Sequence, residues 1–126
     1  VDNFYTTDPT GEFALQHGYQ FLGIACYLFD TQVSNTLPVY RCFKPSNGNY
    51  FYTTHCAEFD KCVNIFGFRA EHIGWFMFGQ DQCRSKALNR YYNDGTGDHK
   101  YCTDNNISKV SHFKAYRKEG VAGYVL

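Results

Sequence analysis

The sequence predicts an all-β domain of β-trefoil type, made of three repeats of about four strands each, the first of them incomplete. Two observations carry this. The block Gly18-Tyr19-Gln20-Phe21-Leu22-Gly23-Ile24-Ala25-Cys26-Tyr27-Leu28-Phe29 aligns without a gap on the stretch from Gly67 to Phe78 and again on the stretch from Ala115 to Leu126. Upstream, Phe4-Tyr5-Thr6-Thr7, Phe51-Tyr52-Thr53-Thr54 and Lys100-Tyr101-Cys102-Thr103 repeat as well. A period near 48 residues, met three times, marks one supersecondary unit used thrice around a shared core. Short runs rich in Tyr, Phe, Val and Thr also alternate with Gly, Asn, Asp and Pro clusters at intervals of roughly 8 to 12 residues, the punctuation of strands and turns.

The elements follow in order. In the first unit, about 1–36, Phe4-Tyr5-Thr6-Thr7 is already the second strand of the plan, so closure is expected to be incomplete unless another segment fills that edge. Gly11-Glu12-Phe13-Ala14-Leu15 leans helical. In the second unit, about 37–86, four strands are expected at residues 39–43, 50–54, 66–69 and 73–78. The third unit, about 87–126, repeats the plan from Asn89-Arg90-Tyr91-Tyr92 onward. Four strands in each of three units is the arithmetic of a trefoil. A large propeller needs more residues, and a two-sheet sandwich is the competing all-β arrangement.

Composition narrows the function classes. At 126 residues the chain is a single domain able to bury a core. Twelve basic and twelve acidic residues cancel, with no run of either sign. Nucleic acid, which requires a basic face, is therefore excluded as a partner. Membrane insertion is excluded as well, since no apolar stretch approaches about 20 residues. The six cysteines contain no C-x-x-C pair, which suits disulfides in a secreted protein better than a zinc ribbon. Cys56 and Cys62 flank a short segment and are candidates for a local bridge. Free buried thiols are the alternative. The start at Val1 is consistent with a removed targeting peptide.

The recurring P-x-Y-R-x-[FY], G-[ND]-x-[FK]-Y-x-T and G-[YF]-x-x-E-G-[IV]-A-G-Y-V-L patterns resemble a secreted repeat family with an H-F-Y-T-T signature, described as a domain of unknown function. The resemblance covers nearly the whole chain and is strongest at Glu119-Gly120-Val121-Ala122-Gly123-Tyr124-Val125-Leu126. It implies an extracellular protein associated with carbohydrates. The chain also resembles the galactose-specific lectins of sea anemones, and that resemblance implies a galactose ligand.

Comparison of the copies separates scaffold from candidate site. Tyr5, Tyr52 and Tyr101 recur, as do Tyr27, Phe76 and Tyr124, and symmetric recurrence favours packing with hydroxyls bonded inside. Arg41 and Arg90 recur likewise and are expected to lock carboxylates. Two departures stand out. His72 and Trp75 replace the small residues Gly23, Gly120, Cys26 and Gly123, and are read as a sugar-stacking platform or as a core filling. The turn Asn93-Asp94-Gly95-Thr96-Gly97-Asp98-His99, followed by Asp104, is richer in carboxylates than its counterpart Lys44-Pro45-Ser46-Asn47-Gly48-Asn49. Oxygen-rich side chains with Gly between them suit Ca²⁺ or simply a tight turn.

The resulting expectation is a secreted, non-catalytic lectin for terminal galactose, assisted by Ca²⁺. Its carbohydrate contacts are His72, Trp75, Asn93, Asp94, Asp98 and His99, and its metal ligands are Asp94, Asp98 and Asp104. Galactose-terminated glycans are the expected partners, and a homodimer supplies the multivalency weak sugar sites need. The alternative is a protein-interaction or protease-inhibitor module acting through the loop at 31–38. Enzyme signatures such as H-E-x-x-H or G-x-S-x-G are missing. A glycosidase pairing of Glu71 with Asp98 is the third reading, set aside because three short units offer shallow loops.

Overall fold

The computed structural model describes residues 3–103 and 116–126. Six antiparallel strands form one curled sheet. They are β1 (Thr36–Lys44), β2 (Asn49–Thr53), β3 (Arg69–Phe78), β4 (Lys86–Asn93), β5 (Asp98–Cys102) and β6 (Tyr116–Val125). Their order is β2-β1-β3-β6-β4-β5, two three-stranded units joined where Phe78 faces Tyr124. A helix, α1 (Cys56–Asn64), links β2 to β3, and a 3-10 helix (Gly11–His17) takes the matching place in the first unit. Both occupy the segments whose sequence leans helical. The chain is thus all-β in its sheet, with three strands rather than four in each of these two units. The two strands expected at 66–69 and 73–78 are one. Arg69, Ala70 and Glu71 pair with Phe43, Cys42 and Arg41, and the ladder resumes from Trp75 to Phe78. Gly74, at φ +69°, absorbs the intervening kink without ending the strand.

The units close on one another through their tyrosines. The backbone N–H of Tyr5 donates to the Tyr52 hydroxyl (2.9 Å), which donates to the Tyr5 carbonyl (3.0 Å). Tyr52 bonds the Tyr101 hydroxyl in the same two ways (2.7 and 2.8 Å), and Tyr101 bonds the Tyr5 hydroxyl (2.9 and 3.2 Å). The three rings meet edge to face, with centroids 5.3–5.5 Å apart, an arrangement aromatic quadrupoles favour. A second ring of bonds joins the last strands of the units. Tyr27 exchanges N–H···O bonds with Leu126, and Phe29 does so with Phe76. With the Phe78–Tyr124 pairing, each unit touches both others at equivalent positions.

Arginine clasps fix the outer ends. Arg41 donates to Glu71 (2.8 Å) and, through its other nitrogens, to Glu12 (2.9 and 3.3 Å). Arg90 repeats this with Glu119 and Glu58, all at 2.9 Å. Register shifts in both ladders fall beside these arginines and aim them at their carboxylates. The Tyr-Thr-Thr motif now has a physical meaning. Tyr enters the ring, and the first Thr holds the helix carboxylate at 2.6 Å in both Thr6–Glu12 and Thr53–Glu58. The main core gathers Val39, Tyr52, Trp75, Met77, Leu88, Tyr101, Ala122 and Val125 around this centre. A side chain on Gly123 would collide with Met77, so that position stays small while its counterpart holds Trp75.

No two of the six cysteines are joined in a disulfide, which corrects the disulfide expectation. Cys56 and Cys62 lie six residues apart on α1, about 9 Å along its axis, too far for a bridge. Cys62 is buried against Cys42 and Phe51, whereas Cys56 is exposed beside the Tyr40 hydroxyl. Burial pushes the thiols of Cys42 and Cys62 up to about 12 and about 11.

Candidate functional site

The β4–β5 hairpin builds a polar, exposed corner. Its turn is held by Asn93, whose Oδ1 accepts from the N–H groups of Gly95 (2.9 Å) and Thr96 (3.3 Å), while its carbonyl accepts from Gly97 (2.8 Å). Asn93 is therefore a turn residue first, as Asn side chains commonly are. This geometry leaves Asp94 outward. Both its oxygens receive Arg117, Nε at 2.9 Å and the terminal nitrogen at 3.2 Å. The guanidinium holds the Asp94 carboxyl below its usual range. Arg117 also lies over the Tyr92 ring, 5.3 Å from its centroid, and the Asn47 amide reaches the same turn near Gly97. The corner thus joins a carboxylate, a guanidinium, an aromatic ring and an amide.

Asp98 and His99 lie beneath it rather than within it. Asp98 is 2% exposed. It accepts from the backbone N–H (3.3 Å) and Nδ2 (2.7 Å) of Asn3 and from the Tyr116 hydroxyl, so its carboxylate ties the start of the first unit to the third. His99 packs its ring between Phe51 and Tyr92. Asn49 Nδ2 lies 3.3 Å from its Nδ1, which makes Nδ1 the acceptor and leaves the proton on Nε2 facing Glu119 at 3.4 Å. That contact, aided by Arg90, holds the Glu119 carboxyl below its usual range although burial opposes it.

His72 and Trp75 do not form one platform. Trp75 is 6% exposed and stacks on Tyr52 at 5.8 Å and 9°. His72 stands exposed on β3. A register shift and the positive-φ Gly74 lie at this stretch of the strand, which leaves His72 in solvent and Trp75 in the core. Trp75 also lines a small apolar cavity of about 40 Å³, with Tyr5, Cys26, Leu28, Met77 and Leu88 among its walls. It is the core filling that the symmetric Cys26 and Gly123 are too small to provide.

The calcium ligand set can be checked at two of its three members, since Asp104 lies outside the described residues. Asp94 gives both oxygens to Arg117, and Asp98 gives both to Asn3 and Tyr116. Both carboxylates are thus engaged by protein donors, and a calcium ion here would share their oxygens with those donors or displace them. Among the described residues no group of three or more His, Cys, Asp or Glu side chains gathers as a metal centre.

Arg117, Tyr92 and Asn47 were not singled out by sequence reasoning. A signal was present in the repeat. Arg69 lies 5.4 Å over Phe43 in the second unit as Arg117 lies over Tyr92 in the third. The cation–π pair is shared scaffold, and the departure is Asp94 where the second unit has Pro45.

No helix among the described residues is long and apolar enough to cross a membrane. No curated protein and no solved structure matches the chain. The profile of one family spans it from residue 1 to residue 126. With its repeated Tyr-Thr-Thr blocks, tyrosine ring and arginine clasps, the chain belongs to the family described as Domain of unknown function (DUF5648).

Proposed function

We propose that this domain is a non-catalytic carbohydrate-binding module, a lectin for terminal galactose, with the Asp94–Arg117 corner as its contact surface. One observation carries the reading. Asp94 and Arg117 form a two-bond pair whose side chains are 68% and 58% exposed. An ion pair so placed contributes little to stability, so the fold does not depend on its bonds, and they are free to exchange. An acceptor carboxylate beside a multiple donor matches vicinal sugar hydroxyls, each of which both donates and accepts. Asn47 adds an amide at the same edge, and Tyr92 supplies the rigid floor. His72, on the second unit, belongs to a separate surface and is not needed for this contact.

The trefoil-like threefold arrangement, secretion and a homodimer belong to the same proposal. A single weak sugar site per chain gains useful avidity on a cell surface only by pairing. Calcium assistance requires Arg117 to release Asp94, with Asp104 joining. The loop at 31–35 is exposed, but no cluster of side chains there favours the protein-interaction reading over this one.

Titration with galactose, glucose and lactose, followed by amide shifts, tests the proposal. Galactose and lactose should move the resonances of residues 92–97 and 117, and Asp94→Ala and Arg117→Ala should each abolish the response with an unchanged melting temperature. A chelator arm decides the calcium form: it stands if galactose binding collapses in EDTA and returns with Ca²⁺. No response to saturating galactose would sink the lectin reading.

A further inference from the structure

The hairpins of the second and third units turn alike but differ in charge. Gly48 and Gly97 both stand at φ +73°, and their N–H groups donate to the carbonyls of Lys44 and Asn93, each at 2.8 Å. Behind each turn the last strand of the unit holds an arginine over a ring of the first. Arg69 pairs with Phe43 and lies 5.4 Å from its centroid, as Arg117 pairs with Tyr92 and lies at 5.3 Å. The turn side chains then diverge. Lys44, Pro45 and Asn49 stand where the third unit has Asn93, Asp94 and Asp98, so each change adds a cation or removes a carboxylate.

The third unit therefore displays the partner that the second one lacks. Asp94 closes on Arg117 through two bonds, whereas among the described residues no carboxylate pairs with Arg69. Glu71, two residues further along β3, is already taken by Arg41. Lys44 adds a second cation next to Phe43 and lies over Phe68 at 5.5 Å. Arg69 is exposed and Phe43 half-buried. The turn of a preceding unit does not close such a position, because Arg117 stays 58% exposed with Asn47 already seated near Gly97. A guanidinium held over a ring keeps a planar fork of donors for the two oxygens of a carboxylate or sulfate. An oxyanion on Arg69 would thus occupy the place that the Asp94 carboxylate holds on Arg117.

We infer that Arg69, over Phe43 and beside Pro45, binds an oxyanion carried by a sugar, a sulfate ester or a uronate carboxylate, and that Asp94 reserves the equivalent corner of the third unit for neutral hydroxyls. That a sugar carries the oxyanion rests on the lectin reading; that the corner takes an oxyanion rests on Arg69, Phe43 and Pro45 alone.

Titrations of the intact chain with galactose 6-sulfate, galacturonate, galactose and inorganic sulfate test this, followed by the Arg69 side-chain N–H and the amides of residues 43–48. Both acidic sugars should move these resonances and bind there about fivefold more tightly than galactose, the scale of one exposed charge pair. The preference should fade in about 0.5 M salt, where such pairs are screened. Pro45→Asp places a carboxylate where the same turn already tolerates Asp94, and should abolish the response with an unchanged melting temperature. Asp94→Pro should create the response at Arg117. An acidic-sugar response at Arg69 that survives Pro45→Asp would overturn the inference, as would none at low salt. Inorganic sulfate binding as tightly as galactose 6-sulfate would overturn the sugar as carrier. A response at Arg69 to acidic sugars, with no galactose response at residues 92–97, would support this site while sinking the neutral one.

Discussion

At the scale of single residues, two neighbouring aspartates separate structure from binding. Asp98 is buried and anchors Asn3 and Tyr116, while Asp94 faces solvent on Arg117. Removing Asp98 takes away the buried carboxylate that accepts from Asn3 and Tyr116, and hydrogen bonds to a charged group are each worth about 1.5–3 kcal/mol. Asp98→Ala is therefore expected to lower the melting temperature by several degrees, whereas Asp94→Ala leaves it within error. Differential scanning calorimetry of the two variants checks this. An Asp98→Ala protein as stable as the parent would show that the Asn3 and Tyr116 contacts contribute nothing. The sequence alone favoured Asp98 as a ligand because four residues cannot reveal which way a hairpin turns its carboxylates. The bonded partner, Asn3, lies 95 residues away. Trp75 poses the same problem in reverse: its departure from symmetry was visible, but only the position of Gly123 against Met77 shows that the core had room for one large side chain there.

At the scale of elements, the arginine clasps join each helix to the strands of the next unit. Burial works against charge on Glu12 and Glu58, yet hydrogen bonds from Arg41 and Thr6, and from Arg90 and Thr53, hold both carboxyls below their ordinary value of 4.5. Carboxyls lowered in this way add stability that is complete above about pH 4.5. It drains away as pH falls through their depressed values in the folded state. Acid denaturation should therefore be steep below pH 4.5 and shallower in Glu58→Gln, monitored by far-UV circular dichroism. An unchanged acid limb in that variant would mean the clasp carries no linkage. Most elements were legible in advance because β2, β5 and the helices follow local turn chemistry. The unity of β3 was not: two strands were expected at 66–69 and 73–78, and only pairing with β1 shows that one strand runs from Arg69 to Phe78.

At the scale of the whole molecule, three units share one centre, and the tyrosine ring is its most cooperative part. Burial pushes the phenols of Tyr5, Tyr52 and Tyr101 above their ordinary value of 10.0. Groups raised in this way contribute stability that is whole below pH 10.0. That stability is lost as pH climbs through their folded values. Of the 11 tyrosines, these three should stay protonated when the accessible ones have ionised, and should ionise together as the fold opens. Ultraviolet titration alongside circular dichroism reads both events. Phenolate formation complete before any loss of secondary structure would contradict the ring. The threefold plan was legible from the repeats, since the same residues recur at one spacing.

The ring also sets a clock. Its three joints connect residues 47, 49 and 96 apart in the chain. Closing the longest costs only about 0.6 kcal/mol more than closing one of half that length, so equilibrium stability hardly distinguishes them. Rate does, because contacts between distant residues form late. During synthesis Tyr5 and Tyr52 can already pair with each other, but the Tyr5 hydroxyl and the Tyr52 backbone wait for Tyr101. The domain then assembles as one event once Tyr101 has been made, rather than unit by unit.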